Sequence, residues 1–575
     1  MPRINDEIAD AFEELADLLQ IAGTDRFRIV AYRRVATEIR SMARDLTTLS
    51  PKELADLKGV GKATAAKITE LITTGTMAKL EEARAAVPAG VRQMTALPGV
   101  GPKTALALHK ELGISSLEEL EDAIKEERIR PLKGMGRKTE QNLAASLRAF
   151  KLSKERTPLD LALSAAERMV AELEQSPLVE AAAYCGSLRR MKETIGDLDL
   201  LAATREPVAV MKLFANLPGV TGVAVQGSTK TSVITGEGLQ VDLRVVAPDE
   251  LGAALQYFTG SQEHNVRVRE IAVKAGYKLS EYGLFTVEGN HKVAGETEDG
   301  IYQALGMQMP PPPMRENRGE VELSLKHALP TVVEISDLQG DLHSHSTYSD
   351  GQSSVREMAL KAADLGCRYL ALTDHFMAPY VRSNTVETLR RQSDEVAALN
   401  AELKGRVRIL LGVEVDIDRH GGLALPDDVL ECVEVVVASI HDSFRMDVEE
   451  MTKRVVSALG HPRVNIFGHP TGRRIGSRQP VEMDLVAVFE TAARNGVALE
   501  VNSNPSRLDL KDDHLRLAKD LGCSFSIATD AHSPAQLGRI RLGVGMAQRG
   551  WVTAPEVINC LPLPDLQRFL RKSLD

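Results

Sequence analysis

Residues 341–351 read DLHSHSTYSDG, with His343, His345 and Asp350 gathered just beyond a short apolar run. The same arrangement recurs downstream. LALTDH ends in His375, LLGVEVDI carries Glu414, VVASIHD carries His441, NIFGHP holds His469, and SIATDAH holds Asp530 and His532. Six of the chain's 13 histidines fall in these motifs. Each preceding run is apolar and β-branched, as a strand buried on both faces should be. Helix-like stretches such as SSVREMALKAADLG lie between them. Alternating parallel strands and helices, with polar side chains at the C-terminal strand ends, predict a βα barrel with its site at one mouth. Imidazole and carboxylate are ligands for Zn, Mn or Fe. One histidine at a strand end reads as a packed core residue, as His420 and His461 do. Nine ligands at equivalent strand ends exceed the needs of one ion and suit a cluster of two or three, able to activate water and clamp a phosphate.

These motifs resemble the PHP (polymerase and histidinol phosphatase) domain, a metal-dependent phosphoesterase. The resemblance implies that His343, His345, Glu414 and Asp530 hold one ion. Glu414, His441 and His469 would hold a second, with Glu414 bridging, and Asp350, His375 and His532 a third. The chain keeps both of the first histidines, which implies an active site. Arg473 is the arginine expected to hold phosphate at the mouth.

The chain has 575 residues, 43% apolar and 26% charged, which predicts three or more soluble globular domains. Five cysteines without a CxxC exclude a zinc finger and suit a reducing compartment. No apolar run is long enough to span a membrane, and MPRINDEIADAFEEL reads as a helix rather than a signal segment. A cytoplasmic, nucleoid-associated protein is therefore expected. The net charge of −10 argues against a generally sticky nucleic-acid binder but not against local backbone contacts to phosphate. The sequence does not fix the oligomeric state; a monomer is the expectation.

Near the N-terminus a unit recurs: LKGVGKATAAKI from 57, LPGVGPKTALAL from 97 and LKGMGRKTEQNL from 132. Gly59 and Gly61, Gly99 and Gly101, and Gly134 and Gly136 would permit a tight turn that offers backbone amides to an anion. The unit resembles the helix-hairpin-helix motif, which implies grip on DNA phosphates without base reading.

A second acidic site lies in the middle. YCGSLRRMKETIGDLDLL places Asp197 and Asp199 on a strand-like run, and VDLRVV places Asp242 on another. Alternate strand residues share a face, so three carboxylates could meet as a hard oxygen site for Mg²⁺ or Mn²⁺. Gly186 and Ser187 would open a helix whose amides hold a triphosphate, with Arg190 adding charge.

These residues resemble the family X DNA polymerases. GSTK ends in Lys230, and YFTGSQEHNVRVR resembles the family segment against the incoming nucleotide. The resemblance implies that Tyr257 and Phe258 border the sugar and Gly260 permits close approach. It also implies that Asn265 meets the base edge and Arg269 the template strand. Lys67 matches the family's 5′-deoxyribose-phosphate lyase nucleophile, but two supporting basic positions read Ala63 and Thr76, which leaves lyase activity in doubt.

The expected fold is multidomain α/β. Its parts are a helical helix-hairpin-helix region (1–85), helix-hairpin-helix fingers (86–155), an α+β nucleotidyltransferase palm (156–250) and thumb (251–316), a linker (317–337) introduced by the Pro-rich, charged PPPPMRENRGEVE, and a distorted (β/α)7 barrel (338–575). The order resembles the bacterial and archaeal family X polymerases. It implies gap filling in base excision repair from dNTPs on gapped or primer-template DNA, with 3′→5′ exonuclease, abasic-site endonuclease and 3′-end phosphatase or phosphodiesterase activity. A small-molecule phosphatase is disfavoured by the DNA-gripping motifs, and a catalytically dead scaffold by the complete ligand sets.

Overall fold

Apolar residues at helical spacing give the N-terminal region its form. Helices Ile4–Ile21, Arg26–Ser41, Lys62–Thr74 and Pro102–Leu112 pack around buried Phe12, Leu15, Ile39, Ile68 and Leu108. The structure, a computed structural model, describes residues 4–571 apart from 22–25, 42–45, 56, 58–59, 88–90, 92–93, 95–96, 98–99, 101, 133–134, 138, 141–142, 145–146, 148–155, 228, 380, 424–425, 427–428 and 430–431.

The palm is a five-stranded sheet of β1 (Ala181–Tyr184), β2 (Leu198–Ala203), β3 (Val220–Gln226), β4 (Lys230–Thr235) and β5 (Gln240–Val246), in the order β1-β2-β5-β4-β3. Only β2 and β5 run parallel. Helix Leu159–Glu174 covers one face through Leu163, Ala166 and Met169. The thumb follows as helices Leu251–Thr259 and Gln262–Lys274 and a three-stranded antiparallel sheet.

The C-terminal part is a parallel barrel of seven strands in sequential order: β6 (Gly340–Asp341), β7 (Tyr369–Leu372), β8 (Arg408–Asp416), β9 (Val435–Ser439), β10 (Ile466–Phe467), β11 (Ala498–Asn502) and β12 (Phe525–Ala528). A parallel bridge between Ser344 and Ala531 nearly closes it, just beyond the first and last strands. Period-two alternation divides the strands between two cores. Leu370, Leu411, Val413 and Val436 face the surrounding helices, whereas Tyr369, Leu410, Val437 and Ala498 belong to an inner layer that the C-terminal helix Leu563–Arg571 caps with Leu566 and Leu570. Glu414 and Glu500 continue the inward-facing columns of Leu410 and Ala498, at the opposite end from that helix.

The stretch expected to be a linker is packed. Glu320–Leu325 is helical, and Met314, Leu329 and Val332 cluster with Trp551. The apolar core of the palm is also continuous with that of the barrel's helical layer.

Candidate active sites and metal centres

In the palm, Asp199 and Asp242 are register partners on parallel β2 and β5. Asp197 precedes β2 in an exposed turn rather than lying on the strand as expected. Burial, with Asp242 and Asp197 nearby, pushes the Asp199 carboxyl up to about 6. Lys230 Nζ lies 2.5 Å from Asp242 Oδ2, and Arg244 also bears on Asp199. Such a crowded set of hard oxygen ligands suits divalent cations.

Gly186 has φ +62°, and a Cβ there would meet Asp199 Oδ2 at 2.7 Å. Glycine thus lets the Gly186-Ser187 turn abut the metal acids. The helix it opens, Gly186–Arg189, is one turn long, so its dipole contribution is small. Arg190 is buried; its Nε donates to Glu316 Oε1 at 3.0 Å, and its guanidinium also donates to the Thr259 carbonyl. Arg189, which the sequence reading passed over, donates to Thr259 and doubly to Glu298.

Gly260 has φ +69°, and a Cβ there would sit 3.1 Å from the Arg190 guanidinium. Tyr257 and Phe258 pack edge to face, with Arg244 over the Phe258 ring at 4.8 Å. Asn265 donates to the Tyr257 carbonyl at 2.6 Å and accepts from Gln256, while Arg269 Nε donates to the Asn265 carbonyl. The amide assigned to the base edge is therefore also a brace for the Tyr257 turn.

In the barrel all nine expected ligands converge. Glu414 is fully buried and its two oxygens face different groups. Oε2 lies 3.4 Å from His343, 3.6 Å from His345 and 3.1 Å from His375. Oε1 lies 3.4 Å from His441 and 3.1 Å from His469. Asp530 Oδ1 is 3.3 Å from His345, and Asp350 Oδ2 is 3.3 Å from His532. Ligand atoms of His343, His345 and Asp530, of His375, Glu414 and His441, and of His345, Asp350, His375 and His532 form three overlapping groups close enough to hold ions. Buried nitrogens of His343, His345 and His375 and an oxygen of Asp350 lack hydrogen-bond partners. Orphaned buried donors and acceptors are costly unless something ligates them, so the residues fit bound metal.

The electrostatics divide the ligand histidines: burial lowers His375 and His469, whereas at His343, His441 and His532 neighbouring carboxylates outweigh burial and raise them. Burial holds His375 and His469 at about 4, keeping both imidazoles neutral as ligands must be. Burial opposes charge on His532, but Asp350 and Asp530 outweigh it and raise it to about 9. Outer partners orient the rings: His343 Nδ1 meets Glu500 at 2.7 Å, and His441 Nδ1 meets Asp416 at 2.8 Å.

Two arginines correct the sequence reading. Arg473 does not face the cluster; it donates to the carbonyls of Arg507 and Leu508 and pairs with Glu193 at 2.7 Å. Arg507 stands at the site instead, Nε 3.6 Å from Asp530 Oδ2 and one buried guanidinium nitrogen without a partner. Glu500 and Asn502 alternate along β11 in ALEVNSN, a signal that could have marked them as inward-facing.

At the N-terminal motifs, Gly61 caps helix Lys62–Thr74 in an extended conformation, and open space lies where a Cβ would be at Gly61 and Gly136. Gly59, Gly99, Gly101 and Gly134 lie outside the described residues. Lys67 Nζ donates to the Ala63 carbonyl at 3.1 Å and sits 5.9 Å from the Tyr32 ring centroid. Among the described residues, no helix is long and apolar enough to cross a membrane.

Comparison with known proteins follows the same order along the chain. Residues 3–77 match a helix-hairpin-helix domain and 91–149 a SAM-like helix-hairpin-helix tandem. Residues 254–316 match the DNA polymerase beta thumb and 341–504 the PHP domain. The chain is 37% identical to the DNA polymerase/3′-5′ exonuclease PolX of Bacillus subtilis (strain 168) over 570 residues, covering 99% of both. Rat DNA polymerase lambda is 27% identical over 350 residues, 54% of this chain and 56% of its own. A "probable phosphatase" of Thermoanaerobacter sp. (strain X514) is 30% identical over 231 residues, 38% of this chain and 89% of its own. A match of this extent, on a chain that carries both the palm carboxylates and a histidine-rich barrel mouth, means that the protein belongs to the family X DNA polymerases that carry helix-hairpin-helix, thumb and C-terminal PHP domains.

Proposed function

We propose that the protein fills short gaps in DNA during base excision repair and processes DNA ends with its barrel, as a 3′→5′ exonuclease, abasic-site endonuclease and 3′-end phosphatase or phosphodiesterase. The observation that supports this most is the presence of two separate ligand clusters, Asp197/Asp199/Asp242 and the nine barrel residues, in a chain whose Bacillus relative is named for both activities. Mg²⁺ or Mn²⁺ at the palm, and two or three Mn²⁺, Zn²⁺ or Fe²⁺ ions in the barrel, would supply the Lewis acidity that both reactions need.

The rest falls to the chain's own residues. Gly186, Ser187, Arg190 and Lys230 surround the place where the triphosphate meets the carboxylates. Tyr257, Phe258 and Gly260 border the sugar, with Asn265 at the base edge and Arg269 toward the template. Attack by the primer 3′-OH on the α-phosphate requires that geometry and little else from the protein. In the barrel, the unpartnered Arg507 nitrogen is placed to hold the scissile phosphate beside Asp530. Gly59, Gly61, Gly99, Gly101, Gly134 and Gly136 would grip DNA phosphates independently of sequence.

Asp242→Asn tests the two-site reading. It should reduce primer extension on a gapped duplex by about 1,000-fold, the effect of several kcal/mol of lost transition-state stabilisation. Release of nucleotides from a 3′-labelled strand should persist; an equal fall of both in a folded variant would show that the sites are not separate. The Thermoanaerobacter likeness favours one second reading, hydrolysis of a small phosphomonoester by the barrel, which the same preparation would reveal as phosphate release without DNA.

A further inference from the structure

The loop that carries the palm's triphosphate arginine is clasped by the C-terminal domain. Arg549, on helix Ile540–Arg549 of the barrel layer, donates to the backbone carbonyl of Arg190 at 2.7 Å and to Glu316 Oε1 at 3.0 Å. Glu316 is the same carboxylate that holds the Arg190 side chain, and Lys192 lies 3.4 Å from its other oxygen. One residue on, Met191 packs so closely on the helix that a Cβ at Gly545 would meet it at 2.5 Å. Two residues further, Glu193 pairs with Arg473, whose guanidinium also holds the backbone carbonyl of Arg507 beside the barrel cluster. Arg549 itself is buried and anchored by Asp512.

We propose that Arg549 is a positioning residue for polymerisation: from the barrel domain it fixes the Arg190–Glu193 loop in the conformation that receives the nucleotide triphosphate. It touches no nucleotide. It acts through the Arg190 carbonyl and through Glu316, which must share Arg190 and Lys192 with any incoming polyanion. A buried guanidinium neutralises Glu316 from behind and leaves those two cations free to turn toward phosphate. Without it, Glu316 holds both more tightly and the loop loses its support. Arg473–Glu193 braces the far end of the same loop.

This inference rests on the nucleotidyl-transfer reading of the palm, and the experiment separates the two. Wild type, Arg549→Met, Arg549→Lys and Glu193→Gln are compared, as full-length protein, for kcat and KM of dNTP in gap filling, for exonuclease rate and for melting temperature. Arg549→Met should raise KM for dNTP about 10-fold, the factor that one charge-assisted hydrogen bond gives, with a smaller change in kcat. The exonuclease rate should stay near wild type, the melting temperature should fall because the largely buried Asp512 and Glu316 lose a partner, and Arg549→Lys should recover part of both losses. An unchanged KM in folded Arg549→Met overturns the proposal. If that variant does not fold, Glu193→Gln decides: a raised KM with intact exonuclease supports the clasp and an unchanged KM overturns it. Absence of gap filling by the wild type overturns the proposal together with the palm reading beneath it.

Discussion

Replacing Glu414 by Gln should strip the barrel of metal and abolish its nuclease while leaving primer extension intact. The substitution keeps shape and removes one charge from a carboxylate whose two oxygens serve different histidine sets. His343, His345 and His375 stand at Oε2, and His441 and His469 at Oε1, all within 3.1 to 3.6 Å. At an effective dielectric of about 20, a unit charge pair about 3.3 Å apart is worth about 5 kcal/mol. Allowing for desolvation, about 4 kcal/mol per ion corresponds to about 1,000-fold in affinity. Any two ions sharing the carboxylate would lose it at once, and their mutual repulsion would no longer be offset. His343 keeps its Glu500 partner, so the fold should survive. Elemental analysis of dialysed protein, paired with exonuclease rates on a 3′-labelled strand, reads the outcome. His343→Ala, which removes a ligand from one group only, should lose less metal and less activity. Normal exonuclease in metal-depleted Glu414→Gln would refute the placement of the nuclease in the barrel.

Gly186→Ala should suppress extension and spare the nuclease, because it forces a side chain into φ +62° and against Asp199 Oδ2; restoration of normal extension kinetics would show that the turn has slack. Glu298 gives a pH signature. Burial pushes its carboxyl up, but Arg315 and Arg189 outweigh burial and hold it at about 2, below its ordinary 4.5. Its stabilising contribution, at most about 3 kcal/mol, is complete above the ordinary value and is lost as pH falls toward the depressed one. Glu298→Gln should therefore be less stable at neutral pH, and urea midpoints should show the gap narrowing as pH falls from about 5 to about 3. Lys67→Ala should leave gap filling intact, and borohydride should trap little adduct on a 5′-deoxyribose-phosphate end; strong trapping lost in the variant would reveal a working lyase.

The local pattern carried much of the architecture. A strand end is announced by a β-branched run followed by a ligand, and this repeats often enough from residue 341 to predict the barrel and all nine convergent side chains. The spacing of two between Asp197 and Asp199 marked the palm acids, although the backbone enters the strand only at Leu198, so one acid lies in the turn. These features are legible because strand alternation and turn chemistry depend on neighbours along the chain.

What the sequence left open depends on residues far apart in it. Tertiary packing alone decided that Arg473, which follows the NIFGHP motif, turns to Glu193 while Arg507 meets Asp530. It also decided that Arg190 is shared with Glu316, 126 residues on, and that Arg549 reaches the same loop from the barrel. The stretch 317–337 reads as a linker after the Pro-rich PPPPM, yet its Leu329 and Val332 find Trp551, and burial of that apolar surface fastens it to the barrel domain. Composition and periodicity report what a segment does with its own backbone; which distant charge it pairs with is settled only when the sheet of one domain and the helices of another exclude water between them.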